Sequence, residues 1–195
     1  MITYSESESQ EIALGAYLTD LHAVEKYLLA AVETQGSLPE LARQPEVGAL
    51  LQRLERTLRL QLERLDAGIA ERGAESRATV KDTMTAVAGF AFGLTGRLRE
   101  ASLSRHLRDD ATVLTLLCLE YAMLHTSALA FHRGAEAAQA RDHLRELAPL
   151  IMEINWLLPA VVARDLAETG FAVDPLAPLA ARENIEEAWR EGAAA

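Results

Sequence analysis

Val113-Leu114-Thr115-Leu116-Leu117-Cys118-Leu119-Glu120-Tyr121-Ala122-Met123-Leu124 is the most apolar stretch of the chain. A helix drawn through it is apolar almost all round, which predicts a central helix with Glu120 carried into the core. A buried carboxylate needs a cation, a metal or a proton, because leaving it charged and unpaired costs several kcal/mol or more. The neighbouring segments decide which of these is on offer.

Working outward, the composition favours helices throughout. Of 195 residues, 50% are hydrophobic, Ala and Leu foremost, and only six are proline. That length fits one domain with a sizeable core and an appended terminal element. The formal net charge of −10 argues against a nucleic-acid or anionic-membrane partner, either of which needs a basic patch. Cys118 is the one cysteine, so no internal disulfide forms, and a reducing, cytoplasmic setting is expected. Met1-Ile2-Thr3-Tyr4 leads into the polar and acidic Ser5-Glu6-Ser7-Glu8-Ser9, which predicts a disordered tail over 1–8 and no signal peptide. The longest apolar segment without a charge, Thr83 to Gly96, is too short to span a bilayer.

Ser7 with Gln10 offers a capping box for a first helix over about 9 to 34. Its core stripe reads Leu14, Leu18, Leu21, Glu25, Leu28 and Val32, so Glu25 lies on the seam. Gly36-Ser37-Leu38-Pro39 breaks it. A second helix over about 45 to 72 turns Val47, Leu51, Leu54, Leu58, Leu62, Leu65 and Ile69 inward. A weaker helical segment follows over 79–102, where Gly89 and Gly93 share a face and allow close packing. A fourth covers 108–134. A fifth runs from about Ala137 to Leu166, with Pro149 and Pro159 expected to kink or split it. After the connector Val173-Asp174-Pro175-Leu176-Ala177-Pro178, a short amphipathic helix from Ala180 to Arg190 closes the chain. Four long amphipathic helices and a shorter crossing one predict an all-α antiparallel bundle.

Glu25 and Glu120 occupy seam positions on different helices, as carboxylates do in bundles that hold a di-iron or di-manganese site. The chain resembles the ferritin-like family of the bacterial stress protein YciF. Three segments carry the resemblance: Leu18-Thr19-Asp20-Leu21-His22-Ala23-Val24-Glu25-Lys26-Tyr27-Leu28-Leu29; Pro45-Glu46-Val47 through Leu62-Glu63-Arg64-Leu65-Asp66; and Arg108-Asp109-Asp110-Ala111 through Leu119-Glu120-Tyr121. It implies a rubrerythrin-like bundle over 9–168, often homodimeric and associated with stress, followed by a C-terminal extension over 171–195.

The chain departs from the family pattern where metal ligands are expected. The middle of the second helix reads Leu54-Glu55-Arg56-Thr57-Leu58-Arg59-Leu60-Gln61-Leu62, without histidine. Met123 stands where a second acid is expected, and no Glu-x-x-His occurs anywhere. Glu25 and Glu120 are then expected either to stay protonated or to pair with Arg59 and Gln61, in a polar centre without a cofactor. The competing expectation is an iron or manganese site built from Glu25, Glu120, Glu55 and Glu153. A three-histidine metal bundle of the DinB type would need His22, His125 and His143 to converge, and their predicted faces disagree. His125 and His132, two turns apart, read as packing or interface residues, and His143 points toward the core. Cys118 reads as a small buried apolar residue. Trp156 and Trp189 face outward, where a dimer contact or the docked tail would cover them.

Overall fold

The structure, a computed structural model, describes residues 5–71 and 102–194. Among them there are helices and no strands. The segment expected over 79–102, with Gly89 and Gly93, lies outside the described residues except for Ser102.

Helix α1 (Glu6–Gln35) opens on a capping box built from Ser5 and Glu8 rather than Ser7 and Gln10. The Ser5 hydroxyl accepts from the Glu8 amide at 3.3 Å, and the Glu8 carboxylate accepts from the Ser5 amide at 2.7 Å. A charged acid at the third helical position suits the positive end of the helix dipole better than a glutamine does. Residues 6–8 are therefore the first turn of α1 and not tail. A 3-10 turn (Pro39–Arg43) leads to α2 (Pro45–Glu71), whose first residue is a proline with no amide left to satisfy.

Helix α3 (Leu103–Ala130) begins earlier than position 108 and stops before 134. His132 adopts a left-handed backbone (φ 58°) that reverses the chain into α4 (Gly134–Glu168). A non-glycine residue in that conformation leaves little trace in a sequence. Pro149 and Pro159 lie inside α4 without splitting it. Leu147, Leu150, Ile154, Leu157 and Val161 are all buried on its inner face, and their packing holds the turns that the prolines weaken.

Cross-helix pairs give the direction of every neighbour. Glu33–Arg59 and His22–Asp66 set α1 antiparallel to α2. Gln35–Asp110 and Glu25–Tyr121 do the same for α1 and α3. Ser104–Asp165 and Tyr121–His143 pair α3 with α4, while Glu46–Arg164 and Gln61–Glu146 pair α2 with α4. The helices thus pack in the cyclic order α1, α2, α4, α3. Across the diagonal, α2 and α3 run the same way, so the end of α2 and the start of α3 lie at opposite ends of the bundle.

Leucines fill the interior: Leu14, Leu21, Leu54, Leu58, Leu107, Leu114 and Leu117 are fully buried. By length and composition α3 and α4 are each apolar enough to cross a membrane, although the longest uncharged apolar run is short, and their inner faces form two walls of the bundle core. Helix α5 (Ala177–Ala194) returns onto its own bundle. The Arg182 guanidinium stacks 3.8 Å from the Trp156 ring centroid, and its Nε donates to the Trp156 carbonyl at 3.2 Å.

Candidate functional site: a buried polar centre

Midway along the bundle each of the four helices contributes one buried polar side chain: Glu25 from α1, Gln61 from α2, Tyr121 from α3 and His143 from α4. All four are 0% exposed. The Tyr121 hydroxyl donates to Glu25 Oε1 at 2.5 Å, and His143 Nδ1 lies 2.7 Å from the same hydroxyl. Tyr121 has a single proton, so while it donates to Glu25 its oxygen accepts from His143 Nδ1–H, leaving the lone pair on Nε2. The rings of Tyr121 and His143 meet edge to face, with centroids 4.9 Å apart. Among the described residues Glu25 Oε2 and His143 Nε2 have no hydrogen-bond partner.

Gln61 ties this centre to the surface. Its Nε2 donates to Glu146 Oε2 at 2.8 Å and to the His143 carbonyl at 3.4 Å. Glu146 in turn accepts from Arg64 at 3.1 Å. Burial pushes the Glu146 carboxyl up, but hydrogen bonds from Gln61 and Arg64 outweigh it and hold it below the ordinary value.

Among the described residues no cation pairs with Glu25. Burial lifts its carboxyl from 4.5 to about 8; the Tyr121 hydrogen bond opposes the shift and the Glu146 charge adds to it. Burial and the nearby Arg64 push His143 down to about 4. Burial, with Glu25 beside it, pushes the Tyr121 phenol far up. At neutral pH the centre is three neutral groups in one hydrogen-bonded row: a carboxylic acid, a phenol and an imidazole.

The expected partners are distributed differently. Glu25 and Gln61 belong to the centre, whereas Glu120 and Arg59 do not. Glu120 is half-buried on the flank of α3, where burial and the neighbouring Asp20 raise it to about 7. Consecutive helical residues point about 100° apart. The buried arc of α3 runs through Leu114, Leu117, Tyr121 and Leu124, so it is Tyr121 that points inward. Arg59 is exposed and binds Glu33 at 2.6 Å and Glu55 at 2.9 Å. Glu153 pairs with Arg53 at the surface between α2 and α4. Glu25, Glu120, Glu55 and Glu153 therefore face four different surroundings, an arrangement that does not suit a shared metal pair.

Tyr121 and His143 complete the centre that Glu25 announced. The spacing Leu114, Leu117, Tyr121, Leu124 was the available signal for Tyr121. His22 instead pairs with Asp66 at 3.0 Å, and His125 Nδ1 bonds the Ala137 carbonyl at 2.7 Å, so the three histidines do not converge. Cys118 is half-buried at the core's edge, and burial raises its thiol. Among the described residues no group of three or more His, Cys, Asp or Glu side chains could hold a metal ion.

Fold and site together define an all-helical bundle organised around a neutral hydrogen-bonded centre. Comparison with protein-family models, with curated proteins and with solved structures finds no match to this chain.

Proposed function

We propose that the protein is a non-catalytic, ferritin-like bundle in which a hydrogen-bonded row of side chains stands where related bundles gather metal ligands. Two features support the ferritin-like part: the cyclic helix order α1, α2, α4, α3, and the parallel diagonal pair α2 and α3, which requires a single long crossover. The observation that carries the functional part is the Glu25–Tyr121–His143 row. One buried carboxylate is neutralised by burial and bonded through one oxygen to a phenol, with leucines Leu54 and Leu58 filling the positions of α2 that would otherwise supply ligands. A stress-associated role follows from the family resemblance alone. A cytoplasmic homodimer is part of the same proposal; Leu119, Met123, Leu129 and Met152 give α3 and α4 exposed apolar positions that a second copy would cover.

Elemental analysis of protein purified without chelators tests this. The expected result is iron, manganese and zinc far below one equivalent per chain. Near-stoichiometric metal that disappears in Glu25→Gln would overturn the proposal in favour of an iron-handling or oxidoreductase bundle.

A further inference from the structure

About three turns before Tyr121 along α3, a second polar cluster lies between α1 and α3. Gln35 and Asp110 are each only 2% exposed. Gln35 Nε2 donates to Asp110 Oδ1 at 2.9 Å, which leaves Gln35 Oε1 and Asp110 Oδ2 without partners. Both residues line a small cleft together with Tyr27, Asp109 and the apolar side chains of Leu28 and Val113. Two orphaned buried acceptors are costly, since each has lost water without gaining a donor. With Asp110 ionised, what they lack in common is a donor.

We propose that this cleft binds the primary ammonium group of a small aliphatic amine. An ammonium head carries three N–H donors and no acceptor. Asp110 Oδ2 and Gln35 Oε1 take two of them, and the Tyr27 hydroxyl oxygen offers the third acceptor. Asp109 at the rim is already paired with Arg108 at 2.6 Å, so the charge that the cleft offers is that of Asp110. The acids stand close enough to the Tyr27 phenol to raise it, after burial itself. Leu28 and Val113 form the apolar part of the wall, and the space is of the order of a single water, the size of an ammonium head, so the alkyl chain stays outside it. A hard metal ion is a poorer fit, because calcium takes six to eight oxygens and the walls supply fewer. The chain's net charge of −10 favours the approach of any cation.

Calorimetric titration of the full chain with n-butylammonium chloride tests the proposal at about pH 8, above the value of about 7 to which burial raises Asp110. The expected result is saturable binding that weakens about tenfold or more in Asp110→Asn, as the loss of a charge-assisted hydrogen bond implies. Gln35→Met removes the amide acceptor at similar volume and weakens binding several-fold. If Asp110→Asn does not fold by circular dichroism, Gln35→Met alone decides. Glu25→Gln binds like the wild type, which separates this site from the polar centre. Absence of saturable binding overturns the proposal. So does equal binding of tetramethylammonium, which has no N–H donor, or Asp110-dependent binding of calcium in place of the amine.

Discussion

Tyr121 stands between Glu25 and His143, with its hydroxyl 2.5 Å from the carboxyl and 2.7 Å from the imidazole nitrogen. One oxygen thus bonds two buried polar groups from two other helices, in a core built mainly of leucine, valine and isoleucine.

Tyr121→Phe keeps the ring and removes that oxygen. Glu25 Oε1 and His143 Nδ1 are then both buried without partners, which costs about 3 kcal/mol. Urea unfolding monitored by circular dichroism measures it. A loss below about 1 kcal/mol would mean that the two groups find other partners.

Glu25 sets a pH dependence whose sign is opposite to that of a salt-bridged acid. Its folded value of about 8 lies above its ordinary 4.5, so the folded state holds the extra proton between them. Its contribution is fully present below about pH 4.5 and is lost as pH rises through about 8. Asp110 and Glu120, both raised to about 7, act in the same direction. His143, lowered from 6.5 to about 4, acts in the other: its contribution is lost as pH falls through that window. Unfolding midpoints are therefore expected to fall from about pH 6 to about pH 9. Glu25→Gln, which still accepts from Tyr121 and cannot ionise, should flatten that alkaline limb in part. An identical slope in the variant would remove Glu25 as its source.

Arg59 was a sequence-based candidate for neutralising a buried glutamate, and its surroundings predict a small effect. It is exposed and paired with Glu33 and Glu55, so Arg59→Leu should cost less than about 1 kcal/mol. A loss of about 3 kcal/mol would instead signal a buried partner.

Helix α5 is held to α4 through Arg182 and Trp156. An exposed contact of this type is worth about 0.5–1 kcal/mol. Arg182→Ala should therefore release the tail without unfolding the bundle. Limited proteolysis reads this directly: cleavage near Phe171 to Leu176 should accelerate while the urea midpoint hardly moves. Unchanged cleavage would show that other α5 contacts suffice.

The helices were legible because local rules set them. Period-3.6 leucines mark α1 and α2, Gly36 ends the first, and Pro45 starts the second within a residue of expectation. Glu25 was legible on the same ground, sitting in the register of Leu18, Leu21 and Leu28. The short reversal at His132 was not, since nothing in its residue type demands a left-handed backbone.

The stretch from Val113 to Leu124 determined by itself that a central helix passes there, and it put Glu120 forward as the polar side chain in the core. Only the tertiary structure decided that this side chain is Tyr121, with Glu120 turned to the flank. The physical reason is angular: neighbouring positions differ by about 100°, and when a helix is apolar almost all round, only its packing partners select which arc faces inward. The partners of Glu25 were likewise beyond reach, because Tyr121 and His143 are distant in sequence and meet only when α1, α3 and α4 pack together.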